Sequence, residues 1–392
     1  MISILAPALE VHEERPTLFL GTSVGAINAA YLGASQHLSA DEQAAGLLER
    51  WREVTKDGVI RPILRHQLPL TVLRYMGGLL SVPGARVPSL LDPAPLARSL
   101  ERWMSWDDLH RNVTEGVLQG VAVVATAART GRTVVFVEAD TELAMHRSHV
   151  IEYVPTELAE EHIRASAAIP VLFPPVRVEK PKDARGWYVD GGTRLNTPIK
   201  PALDLGADRL VVIGTEAITE VEPRPGLHDC EPPDFADGAL HALHGTLVDP
   251  LGEDMRMLGN VNAFFADGKD APAGTRYRQA RGKSPYRRVP YIFIAPRRRG
   301  IIGEIATEVF RTRYGGLKGL RSPDFLLLNR LLGGDSRAHG ELLSYLLFDR
   351  DFIDALIDLG RADAARWLST DRGSEQPWQT EPLDGFMQPV LV

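Results

Sequence analysis

GTSVGAINAA, residues 21–30, places Gly21, Ser23 and Gly25 in the G-x-S-x-G spacing of a nucleophile elbow. TLFL at 17–20 reads as a short buried strand before it, and the Ala-, Ile- and Leu-rich chain from Ser23 to about Leu32 reads as a helix after it. Glycines on either side of Ser23 allow a strained strand-to-helix turn and close helix–strand packing. The hydroxyl then projects at a helix N-terminus, where the dipole and free N–H groups favour developing negative charge. The N–H of Val24 is a natural oxyanion donor. A phosphate loop is rejected, because Gly25 is followed by Ala26 where that loop needs lysine. The motif is short, so a small serine in a tight corner stands beside the nucleophile reading.

Outward from the elbow, the 392-residue chain is 44% hydrophobic and 24% charged, enough to bury a sizeable core in one large domain or two smaller ones. Its formal net charge of -7 argues against nucleic acid as the main partner. Cys230 is the single cysteine, so no intrachain disulfide can form, which fits a reducing compartment. No apolar run approaches the roughly eighteen residues of a spanning helix, and MISILAPALE lacks the basic start of a signal peptide. A soluble, cytoplasmic protein is expected.

Residues 2–12 read as a short helix despite Pro7, and 41–110 as amphipathic helices interrupted by prolines, either a cap over a site or a layer packed on a sheet. GVAVVATAA (120–128) and TVVFVEA (133–139) read as strands joined by the turn Arg129–Arg132, and 156–168 as a helix ended before Pro170. GWYVDGG (186–192) is a strand entering a glycine turn. Asn196-Thr197-Pro198 then starts a helix that stops at Gly206, and RLVVIG (209–214) is the next strand. This strand–helix–strand run implies parallel pairing within an α/β layered sheet. VPYIFIA (289–295) adds a strand, 301–369 is helical, and the polar tail from Thr370 is expected to fray.

A serine hydroxyl needs a base. Asp190 ends a strand, and Gly191-Gly192 after it lets backbone and ligand approach closely, although Asp-Gly-Gly is equally a hairpin turn. The chain resembles the patatin-like phospholipase family in GTSVGAINAA (21–30), SLLDPAPLARSLE (89–101), ATAARTGRTVVF (125–136), RASAAIPVLFPPV (164–176) and VDGGTRLNTPIKPALDLGADRLVVI (189–213), in the family's order over roughly residues 1–300. The resemblance implies a three-layer α/β/α fold with a mainly parallel central sheet and helices on both faces. It implies a catalytic domain over 1–300 with a cap-like region at 41–110, and a helical extension over 301–392. It also implies a Ser23–Asp190 dyad, with Ser23 as nucleophile and Asp190 as base, hydrolysing acyl esters of phospholipids or other lipids without metal or organic cofactor. An aspartate with its ordinary pKa near 4 is a weak base at neutral pH, so its site is expected to be desolvated.

The family's G-G-G-x-R/K-G oxyanion segment has no match before Ser23, where only Gly21 is present. Two readings follow: the true start lies further upstream, which the otherwise intact site favours, or the chain is truncated and impaired. His228, His241 and His244 follow Asp190 as the histidine of an α/β-hydrolase triad would, giving a His-dependent esterase or thioesterase as the alternative. Their spacing with Cys230 matches no standard zinc pattern. Ser166 lacks flanking glycines and reads as helix packing, as does Asn28. The basic residues between Arg276 and Arg299 form either a headgroup-docking patch at a membrane surface or a solvated loop. A lipid-binding protein on a hydrolase scaffold is the non-enzymatic alternative.

Overall fold

A computed structural model gives the architecture and describes residues 1–59, 61–62, 91–92, 94–140, 150–170, 172–218, 251–265, 272–280, 285, 287–314, 337–370 and 377–383. The chain opens with helix α1 (Ile2–Val11), strand β1 (Leu18–Thr22) and helix α2 (Val24–Ala34). Helices α3 (Ala40–Glu53) and α4 (Lys56–Val59) follow, the first started by a Ser39–Glu42 capping box. Strands β2 (Arg61–Pro62) and β3 (Leu91–Asp92) pair antiparallel and lead to α5 (Ala94–Trp103) and α6 (Trp106–Thr114). Next come strands β4 (Gly120–Ala127), β5 (Thr133–Ala139) and β6 (Ile151–Pro155), helix α7 (Glu160–Ser166), and strands β7 (Val176–Val178) and β8 (Gly186–Asp190). Helix α8 (Ile199–Asp204) leads to strand β9 (Leu210–Ile213). Helices α9 (Leu251–Phe264) and α10 (Pro272–Gln279), strand β10 (Tyr291–Ile294), and helices α11 (Ile301–Tyr314), α12 (Arg337–Leu346) and α13 (Arg350–Ser369) complete the described elements.

The central sheet is mixed, with six strands in the order β6-β5-β4-β8-β7 and β1 also on β4. β1 pairs parallel with β4, and β6 parallel with β5, whereas β4–β5, β4–β8 and β7–β8 are antiparallel. β4 is buried from Gly120 to Thr126, which is why its sequence is almost continuously apolar rather than alternating. Its side chains still alternate between two cores. Val121, Val123 and Ala125 join Phe136, Leu100, Leu109 and Ile163 on the face covered by α2, α5, α6 and α7. Ala122 and Val124 join Val135, Val137 and Leu205 on the other face. The layered α/β arrangement therefore holds, with helical cover on both sides.

The β8–α8–β9 run does not pair as the strand–helix–strand reading expects. β8 is antiparallel to β4 and β7, and the parallel partner of β9 is β10. The helix expected over 156–168 is shorter, running only from Glu160 to Ser166. In the stretch read as a cap or a layer, α5 and α6 send Leu96, Leu100, Trp103, Leu109 and Val113 into the sheet-side core, as a packed layer does. Residues 63–90 of that stretch lie outside the described residues.

The C-terminal helices return to the start of the chain. Arg361 on α13 donates to Ser3 Oγ at 3.4 Å, and Asp354 pairs with Arg52 of α3 at 2.9 Å. The expected frayed tail docks instead at 377–380. Trp378 is buried and donates to Glu14 at 2.6 Å, and Gln379 exchanges backbone hydrogen bonds of 2.8 and 2.9 Å with Tyr291. One tryptophan with a core to enter offsets the polar composition around it. No helix among the described residues is long and apolar enough to cross a membrane.

Phe136, with no exposed surface, packs its ring 4.7 Å from His162 of α7 and 5.2 Å from Tyr188 of β8, tying three elements together. Phe136→Ala is expected to destabilise the chain by about 3–5 kcal/mol, read as a lowered urea midpoint.

Candidate active site

β1 and β8 share one edge of β4. Thr22 pairs with Val124 in the parallel ladder, and Asp190 pairs with Ala125 in the antiparallel one. The two strands therefore run toward each other and end on neighbouring rungs, about 3.3 Å apart along β4. Had β1 continued, Ser23 would have taken the rung that Asp190 occupies. The chain turns out of the sheet at Ser23 instead.

That turn is sharp. Ser23 has φ 55° and ψ -125° and serves as the N-cap of α2. A non-glycine residue in this region carries strain of about 1–3 kcal/mol, and such residues cluster at functional sites. Gly21 makes the turn possible: a Cβ there would lie 2.0 Å from the Gly25 carbonyl oxygen. Gly25 differs, since no described atom lies within 4 Å of a Cβ built on it. The space beside it is open. Val24, at the first turn of α2, is half exposed, and its N–H belongs to the helix's set of donors without intrahelical partners. α2 seats closely on the sheet through its small residues, with Gly33 against Val121 and Leu109.

Asp190 is 1% exposed. Its Oδ1 accepts the Gly192 N–H at 2.7 Å, while Oδ2 is buried without a hydrogen-bond partner among the described residues. Burial pushes its pKa up to about 7, against the opposing pull of the Ser23 side chain and the Gly192 N–H. The Ser23 hydroxyl lies near enough to favour the carboxylate, although no geometrically complete hydrogen bond joins the two. The desolvation expected from the sequence is present.

Asp190-Gly191-Gly192 does not make a hairpin. Gly191–Thr193 is a turn of 3-10 helix, and Arg194 and Leu195 N–H both donate to Gly191 O, at 3.0 and 2.8 Å. A Cβ on Gly191 would lie 2.4 Å from Val124 O and 3.0 Å from Thr22 Cγ2, so only glycine lets this turn sit against both strands. Thr193 Oγ1 donates to Asp190 O at 2.9 Å, and Thr22 Oγ1 to Leu195 O at 3.0 Å, stitching the turn to β1.

Ser166 has a role its sequence context hid. It is fully buried at the end of α7, accepts the Ser23 N–H at 2.9 Å and donates to Val124 O at 2.6 Å. Its only sequence signal is its place in RASAAIPVLFPPV, between small residues before a proline. Asn28 accepts the Trp51 indole N–H at 2.9 Å, a packing role as expected.

His228, Cys230, His241 and His244 lie outside the described residues. Among the described residues, no group of three or more His, Cys, Asp or Glu could hold a metal ion. In the basic run, Arg287 pairs with Asp208, Arg288 reaches Thr380 at 2.6 Å and Arg298 reaches Glu304 at 2.6 Å, pairings that favour the solvated-loop reading.

A family model described as Patatin-like phospholipase matches residues 5–203, half of the chain. The chain belongs to the patatin-like phospholipase family. The family is one of lipid acyl hydrolases acting on lipid substrates. No curated protein matches the chain significantly. The patatin-like segment takes in most of α1, the elbow, the whole six-stranded sheet, the Asp-Gly-Gly turn and most of α8.

Glycine contacts distinguish the two ends of this patatin-like site. Gly191→Ala is expected to cost about 1–3 kcal/mol through overpacking. Gly25→Ala, in open space, is expected to stay within about 0.5 kcal/mol of the parent. Thermal melts of the two variants check the contrast.

Proposed function

We propose that the chain hydrolyses carboxylic esters of lipids, in the manner of a phospholipase A or esterase, through Ser23 and Asp190. The observation that carries this reading is Asp190 Oδ2, without a hydrogen-bond partner among the described residues and buried on the rung next to the strained Ser23. Ser23 Oγ attacks the acyl carbonyl as its proton passes to Asp190. The tetrahedral oxyanion forms beside the Val24 N–H and collapses, and the protonated Asp190 returns its proton to the departing alcohol or lysolipid. Water then attacks acyl-Ser23 with Asp190 again taking the proton; Asp190 returns it to the departing Ser23 Oγ, which releases the fatty acid and restores both residues.

The carboxylate is matched to this task. A base must be ionised to accept a proton, and a pKa near the working pH balances ionised fraction against basicity. Asp190, pushed up to about 7, is about half ionised at neutral pH and largely ionised only above it. A lipid ester also suits the apolar, half-exposed Val24 that follows the partly exposed Ser23.

A fluorophosphonate probe is expected to label the wild-type chain and not Ser23→Ala; a wild-type chain that is never labelled favours the lipid-binding alternative. Asp190→Asn is expected to lower kcat by about 10²- to 10⁴-fold on a chromogenic ester. In the wild type, kcat/KM should rise about tenfold per pH unit and level off above about pH 7, following the free enzyme's base. Stability moves the other way. The folded pKa lies above the unfolded 3.8, so this group's contribution is full below that value and is lost as pH rises through about 7. Asp190→Asn should therefore raise the melting temperature more at pH 8 than at pH 5, although it removes activity.

A further inference from the structure

The loop that ends α7 reaches both halves of the site. Ser166 Oγ accepts the Ser23 N–H at 2.9 Å, and two residues later Ala168 O accepts the Asp190 N–H at 2.9 Å. We infer that Ser166 is a positioning residue, which holds Ser23 in its strained conformation at a set place relative to Asp190. This rests on the reading of Ser23 as nucleophile.

A serine hydroxyl has one proton and two acceptor lone pairs. In Ser166 the proton is committed to Val124 O at 2.6 Å, so a lone pair is left to face the Ser23 amide. That amide cannot stay in the β4 ladder, because Asp190 fills the rung beyond Thr22. Ser166 replaces the lost ladder bond and runs it back to β4 at Val124, the residue paired with Thr22. Without the hydroxyl, the Ser23 amide loses its acceptor and one restraint on the φ of 55° is gone; relaxation toward the ordinary region swings Oγ away from Asp190.

The anchor itself is rigid. His162, one turn earlier on α7, is completely buried, and burial pushes its pKa down. Its Nδ1 accepts the Ala159 N–H at 2.9 Å, so the proton sits on Nε2 and is donated to Lys180 O at 2.9 Å. This bond and the Phe136 ring both hold α7 at His162, one turn before Ser166. The relay is thus built on an element that does not depend on bound substrate.

The test uses the full chain labelled with 15N-serine. In Ser166→Ala, the Ser23 amide should exchange with solvent about tenfold faster or more, having lost its acceptor. Turnover per fluorophosphonate-titrated site should fall about 10- to 100-fold, with KM within about threefold, as expected for misplacement of a reacting group. A purely structural role predicts fewer titratable sites, each turning over at the wild-type rate. Unchanged Ser23 exchange overturns the relay, and unchanged turnover per site overturns the positioning role. If Ser166→Ala does not fold, Ser166→Cys, close in volume but a weak acceptor, takes its place under the same criteria. Failure of the wild type to label overturns the nucleophile reading instead, and the relay is then decided by exchange alone.

Discussion

One edge of one strand organises this molecule. β4 offers its edge to β1 over residues 120–124 and to β8 over 125–127, so two strands of opposite direction share a single line of hydrogen-bonding groups. Neither can extend without displacing the other. The competition ends β1 at Thr22, forces the turn at Ser23, and brings Asp190 to the same place from the far side. Gly21 and Gly191 are consequences of the same crowding, because both stand where a Cβ would meet backbone. The other glycine of the elbow, Gly25, answers to no such contact.

Burial follows from this placement. A carboxylate on an inner rung of a covered sheet is far from water, and its ladder neighbours Ala125 and Val124 are themselves fully buried. Only the Gly192 N–H and the Ser23 side chain offset the desolvation, and neither carries a full charge. The raised pKa is therefore set by the architecture of the strand junction. A histidine is not needed to supply a group that titrates near neutrality when an aspartate is held in such a position.

Much of this was legible in the sequence for reasons that can be named. The G-x-S-x-G spacing, the apolar run before it and the alanine-rich run after it are local signals, and the strand, turn and helix they imply are those observed. Asn196-Thr197-Pro198 and Gly206 likewise bracket a real helix, and Gly206 has the positive φ of 96° expected of a helix stop. Pairing was less legible, because it is decided by sheet edges far apart in the chain. Nothing in GWYVD announces that its partner is β4 in antiparallel register, and nothing in RLVVIG announces β10. Strand β7, three residues long, falls below what alternation can signal. The hydrogen bonds of Ser166 are illegible for a related reason: its partners, Ser23 and Val124, lie in segments remote in sequence.

The short β2–β3 ladder has a bearing on how such a chain can vary. Pro62 and Leu91 are paired with each other, as are Arg61 and Asp92. Positions 29 apart in sequence are thus held at one point. Meanwhile Ser23 and Asp190 are indexed to β4, not to the contour of the 166 residues separating them. The distance along the chain between Pro62 and Leu91 enters neither coordinate. The geometry of the strand junction is therefore set by register on β4 rather than by the length of chain between its two residues.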